Sequence, residues 1–329
     1  MELLKYLAQE SAVSGNEENI IEYIKNYAKE FADDVYTDTL GNLIVHKSGK
    51  GKKLMLCAHT DEIGVMVTFI DENGFLRFAP VGGVDVNTIL NRRVKFSNGQ
   101  IGVISYEGSI DIKKELNFSK LYIDIGCADK DSASEMVSIG DVAVFDAEFV
   151  SMGCRFTGKS LDNRAGVYVL MNVLKNCFEP EFDTYFVFSV QEEIGLRGAK
   201  TAAFSIKPDY SISIDVTDTG DTPNCKNNSV CLGKGPAIKI MDKSVICHPL
   251  IRRALEKCAK SLDIPVQKEV LSFGGTDAGA IHTTGEGVIT GAVSIPLRYM
   301  HSTCETVDKT DLDGCIELVT GFLNDNYID

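Results

Sequence analysis

Several side chains in this sequence are of types that bind metal ions or move protons, and most lie just past a short apolar run. His59 and Asp61 follow Leu54-Met55-Leu56-Cys57-Ala58, and Glu192 and Glu193 follow Tyr185 to Val190. Asp215 closes Ser211-Ile212-Ser213-Ile214, and His301 comes after Val288 to Pro296 by way of Leu297-Arg298-Tyr299-Met300. Asp162 stands in Ser160-Leu161-Asp162-Asn163-Arg164-Ala165-Gly166, at the entry to a helix. Singly, each has an ordinary explanation: a turn with a satisfied His, a first-turn Asp, a solvated pair of glutamates. Jointly they converge, because open α/β sheets gather their sites at the carboxyl ends of the strands. A mixed His and carboxylate cluster without thiolates suits catalytic zinc, cobalt or manganese. Asp61 is spaced to accept from the second ring nitrogen of His59 and so fix the tautomer of a metal-binding imidazole.

The elements that must hold these residues are legible as periodicity. Ser14-Gly15-Asn16-Glu17 has the spacing of a capping box, and Ile20, Ile24, Tyr27, Ala28 and Phe31 follow at helical intervals, which predicts an amphipathic first helix. Short β segments flank Gly41-Asn42, and the run into His59 reads as a buried central strand. Between about Gly64 and Ser151 the texture changes to short apolar stretches (65–70, 75–80, 92–96, 101–106, 121–125 and 142–145) parted by turn signals such as Glu72-Asn73-Gly74. That predicts a small all-β unit with its acids at turns and no metal ligand among Asp85, Asp124 and Asp141. Beyond it, helix and strand alternate again: a helix after Asn163, strands at 184–190 and 210–214, a helix over 249–262, a strand at 288–295 and a helix over 312–323. The pattern is an α/β domain interrupted by a β insertion.

With the motifs in order, a resemblance emerges. A-H-T-D-E-I-G (58–64), S-L-D-N-R-A-G (160–166), Q-E-E-I-G-L-R-G-A (191–199), S-I-D-V-T (213–217), F-G-G-T-D-A (273–278) and I-P-L-R-Y-M-H-S-x-x-E (295–305) together resemble the glutamyl and tetrahedral aminopeptidases, over essentially the whole chain. The resemblance implies a mixed-sheet, three-layer, aminopeptidase-like (phosphorylase/hydrolase-like) catalytic domain formed by residues 1–63 and 152–329. A small β-barrel, residues 64–151, would be inserted for oligomerisation. It implies two divalent ions per subunit, zinc or cobalt first and manganese as a further option, bridged by Asp162. His59 and Asp215 would complete one site, Glu193 and His301 the other, leaving Glu192 as general base and Asp61 as the partner of His59. It marks Asp162-Asn163 as a candidate cis peptide. Thr60 and Asn163 depart from the Met and Asp common at these places, and Cys304 lies in the segment after His301; none is an implied ligand.

The implied activity is removal of N-terminal residues from peptides with a free N-terminus. Relatives are also labelled endoglucanases, but adjacent strand residues point to opposite faces, a poor start for two carboxylates flanking one glycosidic bond. A two-metal deacylase or carboxypeptidase would share H-x-D and Glu-Glu; the β-rich insertion between His59 and Asp162 favours the aminopeptidases. The resemblance also implies a homo-oligomer, a dodecamer built from dimers. The chain of 329 residues carries a net charge of -14, which speaks against nucleic-acid and anionic-membrane partners. Met1 to Gln9 lacks the apolar core of a signal peptide, and ten scattered cysteines read as free thiols, so the cytoplasm is the expected location. His46, His248 and His282 read as structural.

Overall fold

The apolar runs become strands covered on both sides by helices. The computed structural model describes residues 1–108, 110–225 and 230–328. The chain opens with α1 (Glu2–Gln9), α2 (Glu18–Ala28), β1 (Asp34–Thr37), β2 (Leu43–Lys47) and β3 (Lys53–His59). There follow β4 (Gly64–Ile70), β5 (Leu76–Val81), β6 (Arg93–Phe96), β7 (Ile101–Tyr106), α3 (Ile112–Glu115), β8 (Leu121–Asp124), α4 (Lys130–Met136) and β9 (Val142–Phe145). Next come β10 (Val150–Met152), β11 (Arg155–Gly158), α5 (Leu161–Asn176), β12 (Asp183–Ser189), α6 (Arg197–Ile206) and β13 (Tyr210–Asp218). The chain continues through β14 (Ala237–Met241), α7 (Pro249–Ser261), β15 (Gln267–Val270), α8 (Ala278–Ile281), β16 (Ile289–Arg298), β17 (Glu305–Asp308) and α9 (Lys309–Asn324).

The large sheet runs β1-β2-β12-β3-β13-β16-β17-β11-β10, with β14 beside β16 and β15 beside β14. Its centre, β12-β3-β13-β16, is parallel, and its flanks are antiparallel apart from the parallel pair β14-β15. Alternation along β3 explains the layers: Leu54, Leu56 and Ala58 join the core under α1, α2, α5, α7 and α9, whereas Met55 and Cys57 face α6 and α8. Because these four strands point the same way, their carboxyl ends share one edge, with Ser189 opposite His59 and Asp215 opposite Ser294.

The insertion closes into a barrel, β4-β5-β8-β7-β6-β9, around its own core of Val65, Leu76, Val94, Ile104 and Ile123. Closure removes sheet edges that a six-strand open sheet would expose. β10 falls inside the span expected for the insertion but pairs with β11 at the edge of the large sheet. The unit also carries helix α4, so it is not all-β.

Two local readings give way. α1 precedes the helix expected to be first, and the capping box does not form: α2 has no side-chain cap bond, because Ser14 and Glu17 are engaged elsewhere. At α5 the expectation is met in place and not in form. The helix starts after a Ser160 with φ of 51° and carries non-helical Asp162 and Asn163, joined by a cis peptide bond. Gly166 lets α5 lie directly on β13, since a Cβ there would stand 2.7 Å from the Ile214 carbonyl oxygen and 2.3 Å from Asn163 Oδ1.

Candidate metal centre

The edge of the parallel strands gathers the residues that the sequence singles out. β3 delivers His59, whose Nε2 lies 3.2 Å from Asp162 Oδ1 and 3.7 Å from Asp215 Oδ1. On the other side of the same carboxylate, Asp162 Oδ2 is 3.4 Å from His301 Nε2, itself 3.4 Å from Glu193 Oε2. His59, Asp162 and Asp215 thus form one group of converging donor atoms, and Asp162, Glu193 and His301 a second, with Asp162 common to both. Glu192 belongs to neither group. It follows the end of β12 in a loop where Gln191 has φ of 56°, so the two glutamates are not strand neighbours.

The donor chemistry fits divalent ions. Two ligands on one tetrahedral ion, with bonds of about 2.0–2.1 Å, stand roughly 3.4 Å apart, which is the spacing between these nitrogens and oxygens. Imidazole and carboxylate without thiolate is the donor set of catalytic zinc, cobalt or manganese.

Asp61 does more than face His59. Its Oδ1 lies 3.4 Å from His59 Nδ1 and its carbonyl oxygen 3.2 Å, while its carboxylate also accepts from Ser14 Oγ (2.6 Å) and from the N–H groups of Glu192 (2.9 Å) and Glu193 (3.1 Å). One fully buried carboxylate therefore ties the β3 loop to the Glu192-Glu193 loop by charge-assisted hydrogen bonds. Glu17 extends the tie, accepting from the N–H groups of Gly15 (2.9 Å) and Gln191 (3.0 Å). Behind them Glu62 accepts from Lys159 at 2.8 Å through both oxygens. Arg164, wholly buried, donates to the carbonyls of Thr60, Leu7 and Glu10 and so locks α1 beneath the site.

Sequence reading missed two further acids. Glu305 accepts from the N–H of Asp162 through Oε2 (2.9 Å) and from the N–H of His301 through Oε1 (2.8 Å), holding the backbone of both groups. Asp277 accepts from Ser189 Oγ at 2.5 Å and lies 3.2 Å from the Cys57 thiol, on the far side of β3 from α5. Both residues sit inside the quoted motifs at 273–278 and 295–305, a signal of place but not of use, because their partners are distant in sequence.

So many carboxylates in one buried place reshape each other's protonation. Burial holds the Glu192 and Asp215 carboxyls well above their ordinary values, with His59 opposing, and it raises Glu193 and Glu305 as well. Burial also works against ionised Asp162, but hydrogen bonds from His301 and His59 prevail and hold it below the usual range. Against the burial that would lower it, Asp162 and Glu193 push His301 up to about 12, and His59 is likewise raised well above its ordinary value, chiefly by Glu192 and Asp162.

The other histidines are used structurally: His46 pairs with Asp183 at 2.7 Å, His248 accepts from the Leu250 N–H as the cap of α7, and His282 bonds the Ala278 carbonyl. In the barrel, Asp85, Asp124 and Asp141 accept from nearby turn backbone at 2.8–2.9 Å and join neither donor group.

The profile of the M42 glutamyl aminopeptidase family matches residues 41–318. The chain belongs to this family. A chain of Acetivibrio thermocellus, provisionally named an aminopeptidase, is 52% identical over 318 residues, 97% of this chain and 96% of that one. An aminopeptidase structure from Desulfurococcus kamchatkensis superposes with a TM-score of 0.95 at 37% identity, covering 100% of this chain and 96% of the other. The TET1 peptidase of Pyrococcus horikoshii, described as assembling into a tetrahedron or a large octahedral shell, gives 0.88 at 35% identity over 98% of both chains. Similar chains differ in name: one is called the lysyl aminopeptidase of Pyrococcus furiosus, 37% identical, and one an endoglucanase of Thermotoga maritima, 34% identical with a TM-score of 0.85. This M42 protein is accordingly a peptidase, a hydrolase of the aminopeptidase type.

Proposed function

We propose that the protein releases N-terminal residues from peptides by means of two divalent ions, zinc or cobalt before manganese, with Glu192 as general base. The observation that carries this reading is Asp162, whose two oxygens face a His-Asp group on one side and a Glu-His group on the other. Ions bound there would supply Lewis acidity to the scissile carbonyl and acidify a water. Glu192, in neither donor group and held by Asp61 through its backbone, takes the proton of the attacking water and passes it to the leaving amine. The α-amino group of the substrate must be free to meet the acidic cluster.

The residue assignments follow the same division. His59 and Asp215 complete one ion site, Glu193 and His301 the other, and Asp61 orients His59. Residues 1–63 and 152–329 form the catalytic domain and 64–151 the oligomerisation insertion. The assembly is a dodecamer built from dimers, in line with the shells formed by the TET1 relative. The location is the cytoplasm, supported by ten cysteines free of disulfides; among the described residues no helix is long and apolar enough to cross a membrane.

Chelation followed by reconstitution tests the proposal. Metal-free protein is expected to lose hydrolysis of aminoacyl chromogenic substrates and short peptides and to regain it with zinc, cobalt or manganese, while acetylated peptides and cellulose stay intact. Chelator-insensitive peptide hydrolysis, or cellulose cleavage, would overturn it.

A further inference from the structure

We infer that the barrel, through the turn Gly82-Gly83 at the end of β5, positions one of the two metal groups and not the other; this rests on the two-ion reading. The route is short. β4 leaves the site directly after His59-Thr60-Asp61-Glu62-Ile63, and β5 returns beside it, Val81 pairing with Gly64. The next two residues are glycines packed against the two unshared members of the second group.

At Gly82, φ is +78°, and a Cβ would stand 2.8 Å from Ile63 Cγ2, 3.1 Å from Glu193 Cβ and 3.3 Å from Glu193 Oε2. At Gly83 a Cβ would lie 2.6 Å from both Nδ1 and Cε1 of His301. Gly82 has no room for a side chain unless Ile63 shifts and Glu193 gives way, and Gly83 has none unless the His301 ring moves.

The contact is also chemical. His301 Nδ1 lies 3.0 Å from the Gly83 carbonyl oxygen, and a carbonyl only accepts. In the neutral ring that an ion requires, the proton would therefore be held on Nδ1, leaving the Nε2 lone pair free on the side of Asp162 and Glu193. His59 obtains the same service from within the α/β domain, through the carboxylate and carbonyl of Asp61. The two imidazoles are thus oriented by different folding units, and the barrel, none of whose described residues joins either donor group, sets the tautomer and seat of one. Gly82-Gly83 is a positioning element, acting through His301 and Glu193.

Zinc titration of the full-length metal-free protein, followed by calorimetry and by metal content after dialysis, separates the groups. Wild-type protein is expected to bind in two steps. In Gly83→Ala one step should weaken about 10–100-fold, the range for loss of a ligand's outer partner, with the other unmoved. Gly82→Ala, which crowds Glu193, should weaken the same step. Gly108→Ala, elsewhere in the barrel where an added Cβ meets nothing within 4 Å, is the control. Circular dichroism of each metal-free variant checks folding, and Gly82→Ala carries the test if Gly83→Ala fails to fold. Two unmoved steps in the glycine variants, or equal weakening of both, would overturn the inference alone. A single step in the wild type would overturn the two-ion reading and the inference with it.

Discussion

Two neighbouring glutamates with the same chemistry are given different work by their surroundings. Glu193 shares a donor group with Asp162 and His301, and Glu192 shares none. Glu192→Gln is expected to keep its full metal content while turnover falls about 10²–10⁴-fold, because the amide keeps the shape but accepts no proton. Glu193→Gln should lose part of its metal, a neutral amide being a poor ligand. Metal analysis beside turnover checks both, and equal metal loss in the two variants would reverse the assignment. Glu17 yields a pH prediction. Burial, opposed by the Gly15 amide and reinforced by Asp61, pushes its carboxyl from 4.5 up to about 7. A raised carboxyl favours folding when protonated, so this contribution is fully present below pH 4.5 and is lost as pH rises through about 7. At one pKa unit to 1.36 kcal/mol the span is roughly 3 kcal/mol. Urea unfolding of metal-free Glu17→Gln at pH 5 and pH 8 should show a flatter dependence than wild type; identical slopes would remove Glu17 as the cause. At this scale the sequence was informative where a residue's type and nearby strand end announce its place in the cluster, as for His59, Asp215 and His301. It was silent where use depends on a remote partner: nothing near Glu305 signals that its two oxygens take the N–H groups of Asp162 and His301.

Elements carried the same lesson. Six apolar stretches in the insertion became the six barrel strands, and β3, β12 and β13 stand where their apolar runs are, because burial on both faces writes a continuous hydrophobic signal. β14, β15 and β17 left no such mark: β15 is Gln267-Lys268-Glu269-Val270, and Glu269 is buried only because Lys239 of β14 pairs with it there. The Ser14 to Glu17 spacing misled for the reverse reason, since tertiary partners, Asp61 and Gln191, outcompeted the local cap. The α5 contact with β13 is testable. Gly166→Ala would press a methyl group onto the Ile214 carbonyl and Asn163, so a loss of about 1–3 kcal/mol in urea unfolding is expected, together with weaker metal binding as Asp162 shifts. An unchanged unfolding midpoint with full metal content would show that the helix can retreat without moving Asp162.

The large sheet has an apolar core on each face and the barrel has its own, the two units being joined by the segments between β3 and β4 and between β9 and β10. If the proposed shell forms, folded proteins cannot reach the sites. Light scattering should then report an assembly far above the monomer, with short free peptides cleaved and a folded protein of casein size or larger left whole; rapid degradation of the latter would exclude an enclosed site. The positions of the donors along the chain carry a further consequence, in time instead of space. His59 and Asp162 are 103 residues apart, with the barrel between them, and His301 comes far later than Asp215. During synthesis the first donor group can be complete while the second still lacks its histidine. On the proposed reading, a growing chain therefore has no finished catalytic centre, and no means of attacking other emerging N-termini, until His301 has left the ribosome and docked.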